Sequence, residues 1–218
     1  MSFIKEVIAQ CDDIWNGYLT HPFIMELSND TLDKKIFEKY LIEDTLYLNA
    51  YAKVFAIGIY KSKSMFEMNL FYELLSGVIN DESITRLELL EERDIVINDV
   101  EFQNPSIENK AYIDFMLNVA ENEGIAEILF ATLPCLLSYG YIGLKLKENN
   151  PRIIEENSFG EWINDYANDR YQDKCEEWSI LADHICKDYS MKQKQHLQEL
   201  FIEASKHEMN FWDMSYYK

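Results

Sequence analysis

The chain has 218 residues, 48% of them hydrophobic, enough for one sizeable core in one or at most two domains. Seven glycines and four prolines make it poor in turn residues, which argues against a turn-rich β-protein and for long helices. With 20 basic and 39 acidic side chains the formal net charge is -19, which repels phosphate backbones and argues against nucleic acid as a partner.

The first predicted element covers residues 2–20. There Phe3, Ile4, Val7, Ile8, Cys11, Ile14, Trp15 and Tyr18 recur at helical spacing and form one apolar face. "HPF" at 21–23 ends it, because Pro22 disfavours helix at His21. A long helix follows over about 31–61, with Asn29, Asp30 and Thr31 as candidate caps. A third helical region begins after Ser64, with Phe66, Leu70, Leu74 and Leu75 on one side. It is expected to break near "INDES" and to resume through Leu87, Leu90 and Ile95. "NPSIENK" at 104–110 reads as a turn and a helix start, and the helix over 107–123 ends at the joint "NEG". The strongly apolar segment 125–147 belongs near the centre of a bundle. Residues 148–160 read as a loop, 161–186 as one or two helices, and 190–214 as the last helix.

Convincing strand alternation, repeats and flexible linkers are absent, so the expected fold is a single all-α domain over residues 1–218. The start is amphipathic, with Lys5, Asp12 and Asp13 among its apolar residues, and does not read as a signal peptide. No bilayer-length apolar run is expected, hence no membrane partner. Cys11, Cys135, Cys175 and Cys186 lack the paired spacing of metal sites, and are expected as reduced thiols in the cytoplasm.

On the long helix, Asp44, Tyr47 and Tyr51 share one face with Tyr40 and Val54, so that face points inward. A carboxylate there costs free energy unless it has a partner. Two readings stay open: a tyrosine–carboxylate hydrogen bond inside the bundle, or an anchor for a ligand with N–H donors. On the last helix, Phe201, Ser205, Glu208, Phe211 and Trp212 share a face, which embeds Glu208 among aromatic residues. Glu208 is either the edge of an interface or a carboxyl whose proton affinity rises toward that of a general acid or base.

"ATLPCLLSYG" at 131–140 sets a proline beside a cysteine in an apolar helix. Pro134 cannot donate a backbone hydrogen bond and crowds the Phe130 carbonyl, at a cost of about 3 kcal/mol relative to Ala. A kink there turns Cys135 toward a cavity; without one, Cys135 is core filler. Tyr139 lies one turn later on the same face. No histidine is close in sequence, so no Cys–His pair follows. Tyr112 and Tyr166 are either core or the stacking surface for a flat heteroaromatic ligand. Glu203 with His207, and Asp183 beside His184, do not make the Glu-x-x-His pattern of a di-metal bundle. Nothing supports His21 as a haem ligand, and neither metal nor cofactor is expected.

Taken together, "HPF" at 21–23, "YLIEDTLYL" at 40–48, "LPCLLSYGYIG" at 133–143, "EWINDY" at 161–166 and "FIEASKHEMNFWDM" at 201–214 resemble the thiaminase II family, the TenA proteins, in order and spacing. The resemblance spans nearly the whole chain. It implies a haem-oxygenase-like helical bundle without haem, assembled as a homotetramer. It also implies hydrolysis of an aminopyrimidine or of thiamine at an exocyclic CH2, releasing hydroxymethylpyrimidine in thiamine salvage. Cys135 matches the family's nucleophile, Asp44 the aspartate that grips the aminopyrimidine edge, and Glu208 the acid/base glutamate. Tyr47, Tyr112, Tyr139, Tyr166 and Phe211 match aromatic substrate-binding positions. Three features depart from the family pattern: Asp30 where a glycine is often found, "TRLELLEERDIVIN" without a histidine, and "PSIENKAY" before the pocket tyrosine. A non-catalytic pyrimidine-binding or regulatory protein, and a metal-dependent oxidase, are the competing readings of the same fold.

Overall fold

The computed structural model describes residues 2–96 and 100–218, and the regular elements among them are helical. In chain order these are α1 (Phe3–Gln10), α2 (Asp12–Thr20), α3 (Pro22–Ser28), α4 (Lys34–Lys61), α5 (Met65–Gly77), a π-helical turn (Val78–Glu82) and α6 (Ser83–Glu91). They continue with α7 (Ile107–Asn122), α8 (Ile125–Asn149), α9 (Ile153–Glu156), α10 (Gly160–Ala167), α11 (Asp169–Ile185) and α12 (Met191–Tyr217). The residues group into two units, Met1–Leu32 with Leu129–Trp212, and Asp33–Ile128 with Asp213–Lys218.

In the first unit, the helix expected over 2–20 is divided at Cys11, whose N–H bonds the Ile8 carbonyl at 2.8 Å. Cys11 is fully buried, so the apolar pattern runs through the division and conceals it. Asp12 and Asp13 then open α2, where acids favour a helix N-terminus. Pro22 starts α3 as well as ending α2. His21 is extended and its Nδ1 accepts from the Phe23 N–H at 3.1 Å, and proline is preorganised for the first helical position.

α8 runs helically through Pro134, with Leu129, Phe130, Leu133 and Ile142 in the core. At 25 residues it is long and apolar enough to cross a membrane, contrary to the expectation of no such run. Most of that apolar stretch is buried within the protein, as in the central helix of a core. The expected loop 148–160 holds the short helix α9, and 161–186 forms two helices, with the Asn168 side chain capping α11 at the Tyr171 N–H.

In the second unit α4 is capped by Asp33, whose Oδ1 accepts from the Lys35 N–H at 2.8 Å, not by residues 29–31. Ser64 opens α5 with a reciprocal capping box to Glu67. Phe66, expected on the inner side of α5, is 51% exposed, while Leu70 and Leu74 are buried. The expected break at "INDES" is instead the π turn, which adds residues to the helical path and resets the register before α6. Ile95 lies beyond the end of α6. Ser106 caps α7.

Candidate active site

In the first unit, α12 presents Phe201, Ser205, Glu208, Phe211 and Trp212 as one buried face, with Glu208 only 2% exposed. Two side chains of α2 reach the turn before Glu208. Trp15 Nε1 donates to Ser205 Oγ at 3.2 Å, and the Tyr18 hydroxyl donates to the Ser205 carbonyl at 2.5 Å. Burial raises the Tyr18 phenol far above its ordinary value, and negative charge on Glu208, Cys11 and Cys135 raises it further. Glu208 and Cys135 thus both bear electrostatically on the Tyr18 phenol, whose hydroxyl is bonded to the Ser205 carbonyl. Sequence periodicity places Tyr18 on an apolar face but gives no sign of this electrostatic position.

Cys135 is half-buried, whereas its neighbours from Ala131 to Gly140 are all buried. It is thus the accessible position in an otherwise closed stretch of α8. Burial raises the thiols of the other cysteines, which disfavours their thiolates. Burial pushes the Cys175 thiol up to about 12 and, with the Asp183 charge adding, the Cys186 thiol up to about 11.

The aromatic wall of this unit is set by glycines. A Cβ on Gly143 would lie 2.8 Å from the Tyr166 backbone carbon, and one on Gly140 would lie 2.8 Å from Cys175 Sγ. Their bare backbone lets α10 and α11 approach α8. Gln172 Nε2 then donates to the Gly140 carbonyl at 3.0 Å and to the Tyr166 carbonyl at 2.7 Å. The outcome is a ring cluster: Tyr139 and Tyr166 have centroids 4.9 Å apart, and Tyr139 and Trp212 5.2 Å. The structure thus brings Tyr139 and Tyr166 together beside α12, which carries Glu208 and Phe211.

In the second unit, α4 and α7 are registered by a polar clasp. Glu43 accepts from the Ser106 N–H at 3.2 Å and from Asn109 Nδ2 at 2.7 Å, and Asn109 Nδ2 also reaches the Glu43 carbonyl at 2.8 Å. One turn on, the same register sets Tyr47 against Tyr112, with centroids 5.0 Å apart, and Tyr47 against Tyr51 at 5.3 Å. The Tyr47 hydroxyl meets Met116 Sδ at 3.5 Å. Asp44 lies on the inner side of α4 as expected, but its partner is not a tyrosine. Arg86 of α6, 8% exposed, donates through Nη1 to Asp44 Oδ2 at 3.2 Å. Burial raises the Asp44 carboxyl and the guanidinium opposes that rise through its charge and hydrogen bond. Asp44, Tyr47 and Tyr112 thus belong to the second unit, and Cys135, Tyr139, Tyr166, Glu208 and Phe211 to the first.

This is an all-α protein of the haem-oxygenase-like fold, carrying an accessible thiol on a central helix and a buried carboxyl on its last one. A domain of unknown function with a heme oxygenase-like fold from Shewanella denitrificans OS217 shares that fold at a TM-score of 0.77 and 13% identity, covering 98% of this chain and 91% of that one. A TenA homologue protein from P. horikoshii OT3 superimposes at a TM-score of 0.87 with 26% identity, covering 99% of each chain. The chain belongs to the TENA/THI-4/PQQC family, whose model matches residues 8–218. It is 33% identical over 217 residues to an aminopyrimidine aminohydrolase of Halalkalibacterium halodurans, covering 99% of this chain and 96% of the relative. It is 32% identical over 217 residues to an aminopyrimidine aminohydrolase of Helicobacter pylori, covering 99% of each.

Proposed function

We propose that the chain is a hydrolase of thiamine salvage, an aminopyrimidine aminohydrolase. It would convert 4-amino-5-aminomethyl-2-methylpyrimidine, or thiamine, to the 5-hydroxymethylpyrimidine through a covalent adduct on Cys135. The observation that carries this reading is that the first unit holds both an accessible thiol, Cys135, and a buried carboxyl, Glu208, whose charges each raise the Tyr18 phenol. Membership of a family with aminopyrimidine aminohydrolases among its relatives supports the substrate class.

The Cys135 thiolate adds to an electron-poor ring carbon, and the resulting enamine-like adduct expels the group on the CH2. Water adds to that carbon, losing a proton, and the thiolate departs as the ring regains its aromaticity. For the amine the sum is water consumed and ammonia released. Glu208 protonates the departing amine and then takes the proton of the incoming water. Asp44 accepts from the exocyclic amino group. Tyr139 and Tyr166 orient the thiol or ring, and Tyr47, Tyr112 and Phe211 wall it.

We read the chain as a single domain that works in the cytoplasm as a homotetramer. The exposed Tyr60, Met65, Phe66 and Tyr72, at the end of α4 and along α5, support burial in an assembly. A non-catalytic pyrimidine binder has no need of both an accessible thiol and a buried acid. An amine needs a proton to leave, whereas a thiazolium leaves as a neutral thiazole. Glu208→Gln should therefore slow aminomethylpyrimidine hydrolysis by about 100-fold or more, and thiamine hydrolysis less. Equal loss on both substrates, or none, would remove Glu208 from the acid role.

A further inference from the structure

Asp44 and Arg86 form a buried ion pair with an unequal division of the carboxylate. Oδ2 takes the guanidinium Nη1 at 3.2 Å, whereas Oδ1 accepts no protein hydrogen bond among the described residues. The Asp44 side chain remains 14% exposed, so this oxygen is not sealed from a ligand. Arg86 reaches Asp44 from α6, directly after the π turn, and shares the inner face of that helix with Leu89 and Leu90. Among the described residues, several other charged side chains on α4, α5 and just after α6 have partners of their own. Glu43, beside Asp44 on α4, is held by Ser106 and Asn109 at the start of α7. Arg93, two turns after Arg86, lies over the Phe37 ring. On α5, Glu67 closes its own capping box and Glu73 accepts from Asn69. Tyr47 and Tyr112 contribute rings from α4 and α7.

We propose that Arg86 is a positioning and specificity-determining residue: by occupying Asp44 Oδ2 it fixes the carboxylate as a hydrogen-bond acceptor, so that Oδ1 selects a pyrimidine bearing an amino group over one bearing a keto group. The inference rests on the assignment of Asp44 to the aminopyrimidine. The chemistry follows from donor and acceptor counting. An ionised carboxylate only accepts, and an exocyclic amino group only offers donors to it. A 4-oxo pyrimidine would set a carbonyl oxygen against the same atom, two acceptors facing each other. Burial raises the Asp44 carboxyl above the usual carboxylate range, and the guanidinium, through its charge and its hydrogen bond at 3.2 Å, counters part of that rise. Removing Arg86 takes away the group that counters this rise, so the carboxyl is more readily protonated, and the protonated form has an O–H donor that accommodates the keto ligand.

The test is binding of 4-amino-5-hydroxymethyl-2-methylpyrimidine and of its 4-oxo analogue, by calorimetry at neutral pH, followed by steady-state kinetics. The wild type should prefer the amino ligand by at least about tenfold, the scale of one charge-assisted hydrogen bond against a mismatched pair. Arg86→Gln should lose most of that preference, with the kinetic loss in KM more than in kcat, and Arg86→Lys should restore part of it. Arg86→Gln removes half of a buried pair, so its folding is checked first by circular dichroism. The wild-type preference tests the proposal without any variant. A wild type that binds both ligands equally, or an Arg86→Gln protein that keeps the full preference, overturns the role of Arg86. Asp44→Asn separates the two levels. If it weakens the amino ligand while Arg86→Gln changes nothing, Asp44 keeps its assignment and Arg86 loses its own. If Asp44→Asn binds the amino ligand as the wild type does, the assignment of Asp44 itself falls.

Discussion

Gly143→Ala tests the link between helix packing and the aromatic wall. The added methyl would lie 2.8 Å from the Tyr166 backbone carbon and 2.9 Å from the Ala167 nitrogen, where ordinary contact begins near 3.4 Å. These are backbone atoms, so no side chain can rotate away, and α10 must retreat from α8 by at least about 0.6 Å. The retreat pulls on the Gln172 bond to the Tyr166 carbonyl, at 2.7 Å, and on the Lys147 bond to the Ala167 carbonyl, at 3.2 Å. Overpacking of this kind costs about 1–3 kcal/mol. For a chain this long, that lowers the thermal midpoint by roughly 2–4 °C per kcal/mol. Tyr166 moves with its helix, away from Tyr139, so kcat/KM should fall by about tenfold or more. Gly140→Ala meets Cys175 Sγ, a side-chain atom that can turn, and should cost less in both measurements. Thermal unfolding and turnover are compared for the two variants side by side. A Gly143→Ala protein with wild-type midpoint and turnover, or one no worse than Gly140→Ala, would refute the packing argument.

Three further outcomes are expected. Asp30 sits at φ 58°, a left-handed conformation that suits glycine, and its Oδ1 accepts from the Ser158 N–H at 3.1 Å and from the Ser158 hydroxyl. Asp30→Ala should therefore lose about 1–2 kcal/mol in urea unfolding and Asp30→Gly distinctly less; the reverse order would contradict the account. Asn109→Leu removes the donor that clasps Glu43 inside the second unit, and should cost about 2–3 kcal/mol, because it strands part of a carboxylate. An unchanged urea midpoint would show that the clasp holds nothing. Limited iodoacetamide treatment at pH 8 should label Cys135 ahead of Cys175 and Cys186. Burial depresses the thiolate of the latter two to about one part in a thousand or less at that pH, and peptide mass spectrometry reads the order. Cys175 labelled first would reverse this reading of the thiols.

Much of the fold was legible from periodicity, because long helices with one buried face repeat their pattern over many turns. The failures lie where the pattern is blind to backbone direction. Cys11 carries the apolar stripe across a helix division, and "INDES", read as a break, is a π turn. Phe66 kept the inner-face spacing and yet points outward, since a first turn is constrained on one side only. The candidate residues on α4, α8 and α12 were found through motifs and shared faces. Arg86 was not, although a signal was present. It stands three and four residues before Leu89 and Leu90, so it had to face inward, and an inward cation calls for an inward acid such as Asp44. Tyr18 carried no comparable signal, since what distinguishes it is a hydroxyl 187 positions in sequence from its acceptor.

Release of hydroxymethylpyrimidine from 4-amino-5-aminomethyl-2-methylpyrimidine by the wild type and by Cys135→Ala tests covalent hydrolysis most directly. The account predicts steady turnover by the wild type and a loss of at least about a thousandfold in a folded Cys135→Ala protein. Turnover by Cys135→Ala close to that of the wild type would contradict it.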